Sequence, residues 1–184
     1  MDRIGPTPEI RPGPTLGRRL DAIARACFPV ACTVLLMLLT TLPFGLLDQG
    51  QLLPAVTLAC VWFWSLYRPA SVPPLAVFAL GLLLDLLGYL PIGVGALVLL
   101  AAQGVADRLR RFLVRQGFAV VWLTYIAVAA GAAALVWGLA SLLVVQLMPP
   151  GAAVFQFLLS AALYPVLATL FIRAHRTVAD PERA

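Results

Sequence analysis

Residues 52–95 read LLPAVTLACVWFWSLYRPASVPPLAVFALGLLLDLLGYLPIGVG. Two apolar runs, Leu52 to Tyr67 and Val72 to Gly88, flank Arg68-Pro69, and a third opens at Ile92. Runs of about this length with almost no charge read as membrane-spanning helices. The first closes on Trp62, Phe63, Trp64 and Tyr67 beside Arg68. Amphipathic rings favour the headgroup level, and an arginine can snorkel there, so Trp62, Trp64, Tyr67 and Arg68 are expected to anchor that helix end at the membrane interface. A binding box is the sharper alternative for the same cluster. The second run turns at Gly88-Tyr89-Leu90-Pro91-Ile92-Gly93, where glycine and proline punctuate the chain.

The same pattern extends outward. Further apolar runs cover Ala26 to Leu47, Ile92 to Ala106, Phe118 to Leu147 and Ala152 to Ile172, making six in all. The chain has no lysine, and its 13 arginines are confined to every second connection. Five precede the first run, Arg68 follows the second, four lie between the fourth and fifth, and three follow the sixth. Positive charge near membrane ends stays cytoplasmic, so one arrangement accommodates all of them: six spans with both termini inside. Only 11% of residues are charged, against roughly 25% in an ordinary soluble domain. The expected fold is therefore all-α and integral to the membrane, a compact bundle of six transmembrane helices. The net charge of +5 is accounted for by topology and by anionic headgroups, and implies no nucleic-acid partner.

Three parts follow from this. Residues 1–25 form a cytoplasmic tail, disordered through its four prolines to Thr15, with an amphipathic lead-in from Leu16 to Arg25. Residues 26–172 hold the six helices, and 173–184 a second cytoplasmic tail. The basic start resembles a signal peptide, but the apolar run is too long and lacks a small-residue cleavage site. The polar segment Asp48-Gln51 reads as a loop, with Pro54 in the first turn of a short second span. At the inner end of the fourth span, Asp107 is spaced to pair with Arg110 or Arg111.

Asp85 is the only acidic residue within an apolar run, in Gly81-Leu82-Leu83-Leu84-Asp85-Leu86-Leu87-Gly88. A carboxylate at mid-bilayer costs about 2.5–3.5 kcal/mol and usually marks function. This one lies roughly 4–5 Å below Gly88, near the outer end of its helix, where the cost falls. The next helix starts near Gly93, and its free N–H groups and positive dipole end would accept a carboxylate across the turn. The residues alone leave three roles open to Asp85: a structural clasp, a partner or substrate contact, and a proton carrier. Thr40, Thr57, Gln146 and Gln156 are polar residues expected at similar depth.

Ala130, Ala134 and Gly138 recur at four-residue intervals. Small residues at that spacing let helices approach closely in lipid, so this face is expected to pack against another helix, within the chain or in a partner. Cys27, Cys32 and Cys60 match no disulfide or metal spacing. His175, the single histidine, lies in the arginine-rich tail. No paired carboxylates, metal-ligand set, Ser–His–Asp order or phosphate loop appears, so no cofactor is implied. Catalysis on a polar substrate needs several titratable groups at one place, and the residues point away from an enzyme.

The succession of Pro54, an aromatic-ended helix into Tyr67-Arg68-Pro69, Gly81-Leu-Leu-Leu-Asp85-Leu-Leu-Gly88 and Pro91-Ile-Gly93 resembles the MreD family of bacterial rod-shape-determining proteins. The likeness runs over roughly residues 26 to 172. It implies a compact six-helix fold like the S-components of energy-coupling-factor transporters, located in the bacterial inner membrane. It further implies a scaffold without enzymatic activity that binds MreC. Such a scaffold helps link the cytoplasmic MreB filament to RodA and its class B transpeptidase. Gly81, Asp85, Gly88, Pro91 and Gly93 are the residues that carry the family motif. The alternative is a substrate-binding subunit of a vitamin or metal transporter, with Asp85 in its pocket. A lipid-modifying enzyme is a third reading, weakened by the lack of acidic or basic residues gathered at one depth.

Overall fold

The computed structural model describes residues 16–42, 49–88, 91–144 and 149–179. Among these the chain forms six α-helices and no strand: α1 (Leu16–Thr41), α2 (Gln49–Tyr67), α3 (Pro74–Gly88), α4 (Val94–Leu113), α5 (Phe118–Val144) and α6 (Gly151–Ala179). A single 3-10 turn, Pro69–Ser71, joins α2 to α3. Three helices are long and apolar enough to cross a membrane, over Gly50–Tyr67, Phe118–Leu143 and Gly151–Phe171. Cys27–Thr41 and Pro74–Gly88 are shorter apolar helices. The outward sides of α5 and α6 present Leu123, Leu135, Leu142, Val154, Leu158, Val166 and Leu170. A continuous apolar exterior of this kind needs lipid to cover it, and the protein is an all-helical membrane protein.

Successive helices run up and down. Arg110 Nε donates to the Leu66 carbonyl at 2.9 Å, which brings the ends of α4 and α2 together. The opposite ends of α2, α3, α5 and α6 meet around Gly50, Gly88, Ala140 and Ala152. One end of the bundle therefore carries Arg68, Arg108, Arg110, Arg111 and Arg115, and the other, the far end, carries none.

The centre is α2, with every residue from Leu53 to Leu66 buried. A helix apolar all round belongs inside a bundle, and α1, α3, α4 and α6 enclose it. This changes the reading of the aromatic cluster. Trp62 and Trp64 are 0% and 1% exposed, so both rings are buried in the core of the bundle. Trp64 packs edge-on against Phe28 and tilted against Phe171, with ring centroids 6.0 and 5.3 Å away. Tyr67 is exposed and Arg68 half-buried at the arginine end.

Several boundaries shift. The first helix ends at Thr41, six residues before the apolar run does, and it extends back through the lead-in to Leu16. The side chains of that lead-in, and the tail 1–15, lie outside the described residues. Gln49 to Gln51 belong to α2 and not to a loop, so α2 has 19 residues, or about 28 Å, close to a 30 Å hydrocarbon core. Pro54 thus falls in the second turn, where it removes the N–H that the Gly50 carbonyl would otherwise accept. The fourth helix runs on to Leu113 and carries Asp107 and three arginines along it. The last helix continues past residue 173 to Ala179, so the C-terminal tail is helical for seven residues.

Candidate functional site

The tightest part of the molecule is the α3–α4 hairpin. Asp85 is 1% exposed. Its Oδ2 accepts the Gly93 N–H at 2.7 Å and its Oδ1 accepts the Gly95 N–H at 2.6 Å. Both donors belong to the start of α4, whose first N–H groups have no partner within the helix. A carboxylate there also meets the positive end of the helix dipole.

The surrounding small residues make this approach possible. A Cβ on Gly81 would overlap the backbone of Ala96, and a Cβ on Gly95 would overlap Asp85 Oδ1. Gly93 sits at φ 101°, a conformation that glycine alone adopts cheaply. Pro91 starts the turn, its carbonyl accepting the Val94 N–H at 3.2 Å, and Gly88 closes α3. Gly81, Asp85, Gly88, Pro91 and Gly93 therefore lie together. Gly95 joins them although nothing in the sequence singles it out, because a glycine ten residues after Asp85 gains meaning only once α3 and α4 are in contact.

Further down α4, the Gln103 amide is 4% exposed and donates through Nε2 to the Val72 carbonyl at 2.8 Å. Gln103 thus ties α4 to the chain just before α3. Arg110 is used in the same way on the end of α2. Among the described residues no ion pair joins Asp107 to Arg110 or Arg111. An exposed pair of that kind contributes little, whereas a carbonyl at a helix end needs a donor.

The stripe on α5 does not pack against a helix of this chain. Ala130 and Ala134 are exposed, Gly138 is half-buried, and a Cβ on Gly138 would meet open space. Of the polar residues expected near Asp85, Thr40 and Thr57 bond back to Met37 and Leu53 of their own helices at 2.7 Å. Gln146 and the His175 side chain lie outside the described residues. Gln156 is 8% exposed and lines a cavity of about 270 Å³ at the far end of the bundle, together with Gln51, Pro54, Gly88 and Trp137. Asp85 does not line it.

Among the described residues no three His, Cys, Asp or Glu side chains gather as metal ligands. Cys60 is buried, Cys32 half-buried and Cys27 exposed, and all three are free thiols. No family model, curated protein or solved structure matches the chain.

Proposed function

We propose that this chain is a scaffold of the MreD type. It would span the bacterial inner membrane six times, keep both termini in the cytoplasm and have no catalytic activity of its own. It binds MreC and helps couple cytoplasmic MreB to wall synthesis by RodA and its class B transpeptidase. The motif from Pro54 through Arg68-Pro69 to Gly93 motivates the family. The observation that carries the non-catalytic reading is the state of Asp85. The only carboxylate within an apolar run has both oxygens taken by backbone N–H groups and is closed off from solvent. It has no room to bind a substrate or pass a proton while the hairpin is closed.

The test is affinity purification of the tagged protein from native membranes in mild detergent, with identification of what co-purifies. MreC together with the elongation synthases is the expected result. Recovery of ATPase subunits with a transmembrane coupling protein would sink the scaffold reading. It would favour the substrate-binding subunit of a small-molecule transporter. The far-end cavity favours that alternative, but Asp85 is engaged elsewhere, so Gln51 and Gln156 would have to act as ligand contacts in its place.

A further inference from the structure

The far-end cavity does not stop at its polar lining. Trp137 and Ala153 also line an apolar groove of about 240 Å³ between α5 and α6. The groove continues toward the arginine end past Ala134 and Ala130 of α5, facing Phe157 of α6. From Trp137 to Ala130 is about 10 Å along the helix. Taken as one channel, the two neighbouring voids share Trp137 and Ala153 as walls, with Gln51 and Gln156 at the far end and apolar side chains below.

The polar end is rich in unused hydrogen-bonding groups. The helix preceded by Pro149-Pro150, α6, has no acidic residue in its first turn, and proline offers no side-chain cap. Val154 N–H bonds back to the Pro150 carbonyl at 3.0 Å, which leaves the N–H groups of Gly151, Ala152 and Ala153 without helical acceptors. Gln156, more than nine-tenths buried, has no hydrogen-bond partner among the described residues. Among the described residues no acidic side chain lines the cavity. Free N–H groups at the positive end of a helix select a phosphate oxygen. Opposite them, the Gly50 carbonyl has lost its helical donor to Pro54, and it can accept from a hydroxyl or ammonium group.

We infer that the channel holds one phospholipid from the leaflet at the far end. Its phosphodiester lies against Gln156 and the first turn of α6, and one acyl chain runs down the groove over Ala134 and Ala130. A partner helix would have to bring its own anionic side chain to the first turn of α6, whereas a phospholipid carries phosphate and acyl chain together. A free anion would meet the polar end and leave the apolar groove unfilled. Ala130 and Ala134 of the small-residue stripe are then the floor of a lipid channel. The inference stands apart from the scaffold reading, since it uses only the membrane environment and this geometry.

Native mass spectrometry of the detergent-purified chain, titrated with phosphatidylglycerol, tests it. One lipid per chain is expected, with apparent affinity lowered at least about tenfold in Gln156→Leu. The same loss is expected in Ala134→Trp, which plugs the groove from an exposed position and leaves the fold intact. Leu158→Trp, on the exposed face of α6 outside the groove, should bind as the unmodified chain does. An excess of inorganic phosphate should not displace the lipid. Displacement by phosphate with no effect of Ala134→Trp would replace the lipid by a free-anion site. Equal retention by all variants, or a dimer that dissociates on Ala134→Trp, would overturn the proposal.

Discussion

The α3–α4 hairpin and the α5–α6 pair are both built with small residues, and they use them in opposite ways. In the hairpin, Gly81 and Gly95 are small because another atom occupies the place of their side chains. On α5, Ala130 and Ala134 are exposed, and among the described residues nothing fills the space beside Gly138. The four-residue spacing that predicts close approach belongs to α5 alone, since Gly81 and Gly95 lie on different helices. What separates the two regions is a polar group: Asp85 locks the hairpin shut through two N–H bonds, whereas Trp122 Nε1 bonds the Ala161 carbonyl at 3.0 Å nearer the arginine end than the stripe. The hairpin is therefore a rigid element, and the α5–α6 face is a surface left for something else.

The largest effect should come from breaking the lock. Asp85→Leu leaves the Gly93 and Gly95 N–H groups without acceptors, at about 1–3 kcal/mol each. The thermal unfolding midpoint of the purified protein should fall accordingly, by more than in Gly81→Ala or Gln103→Leu. Asp85→Asn is a finer probe. A single carboxylate function with no defined donors would tolerate the amide, but two N–H donors face two oxygens in this hairpin. Asparagine supplies one acceptor and turns an NH₂ toward the second donor, so a loss of about 1–3 kcal/mol is expected. An Asp85→Leu protein as stable as the unmodified chain would show that the clasp contributes nothing.

Next comes Gly81→Ala. Its added methyl meets the Ala96 backbone and not a flexible side-chain end, so the helices must separate, at about 1–3 kcal/mol. An unchanged unfolding midpoint would mean that α3 and α4 leave room for a methyl group at their crossing.

How much of this comparison is legible in the sequence depends on how far apart the deciding residues lie. The Asp85–Gly93 contact spans eight residues and one turn, and helix-end chemistry alone points to it. The cavity draws on Gln51, Gly88, Trp137 and Gln156, four positions whose meeting depends on the whole bundle. The sequence points Trp62 and Trp64 to the headgroup layer, yet tryptophan beside an arginine suits an interface and a core equally well. Their burial follows only once four other helices enclose α2. The boundary of α1 is obscured for a similar reason, since Ala26 to Leu47 is apolar throughout and carries no polar stop before Asp48.

Gln103→Leu should have a smaller effect. The amide bonds Val72 across α4 and the segment before α3, and interhelical hydrogen bonds in membrane proteins average about 0.6 kcal/mol, reaching about 1.7. A loss in that range, with α3–α4 contacts otherwise intact, would place Gln103 below Asp85 among the groups that hold the hairpin. A loss as large as that of Asp85→Leu would mean that the hairpin is fastened at both ends equally.

The smallest expected effect sharpens the comparison most. Replacing Ala130 and Ala134 together with leucine adds three carbons at each position, far more than Gly81→Ala adds. Both positions are exposed, so stability should change by no more than about 0.5 kcal/mol per site. Binding is where the change should appear, because the added side chains enter the groove that Ala130 and Ala134 line. If the double variant unfolds as readily as Gly81→Ala, the α5 stripe is internal packing after all and the two regions do not differ in kind. If it is stable but loses its partners from native membranes, the face is used by another chain. If it is stable, keeps its partners and loses its lipid, the space beside α5 belongs to the membrane. Small residues then mark a closed joint in one helix pair and a lipid channel in the other.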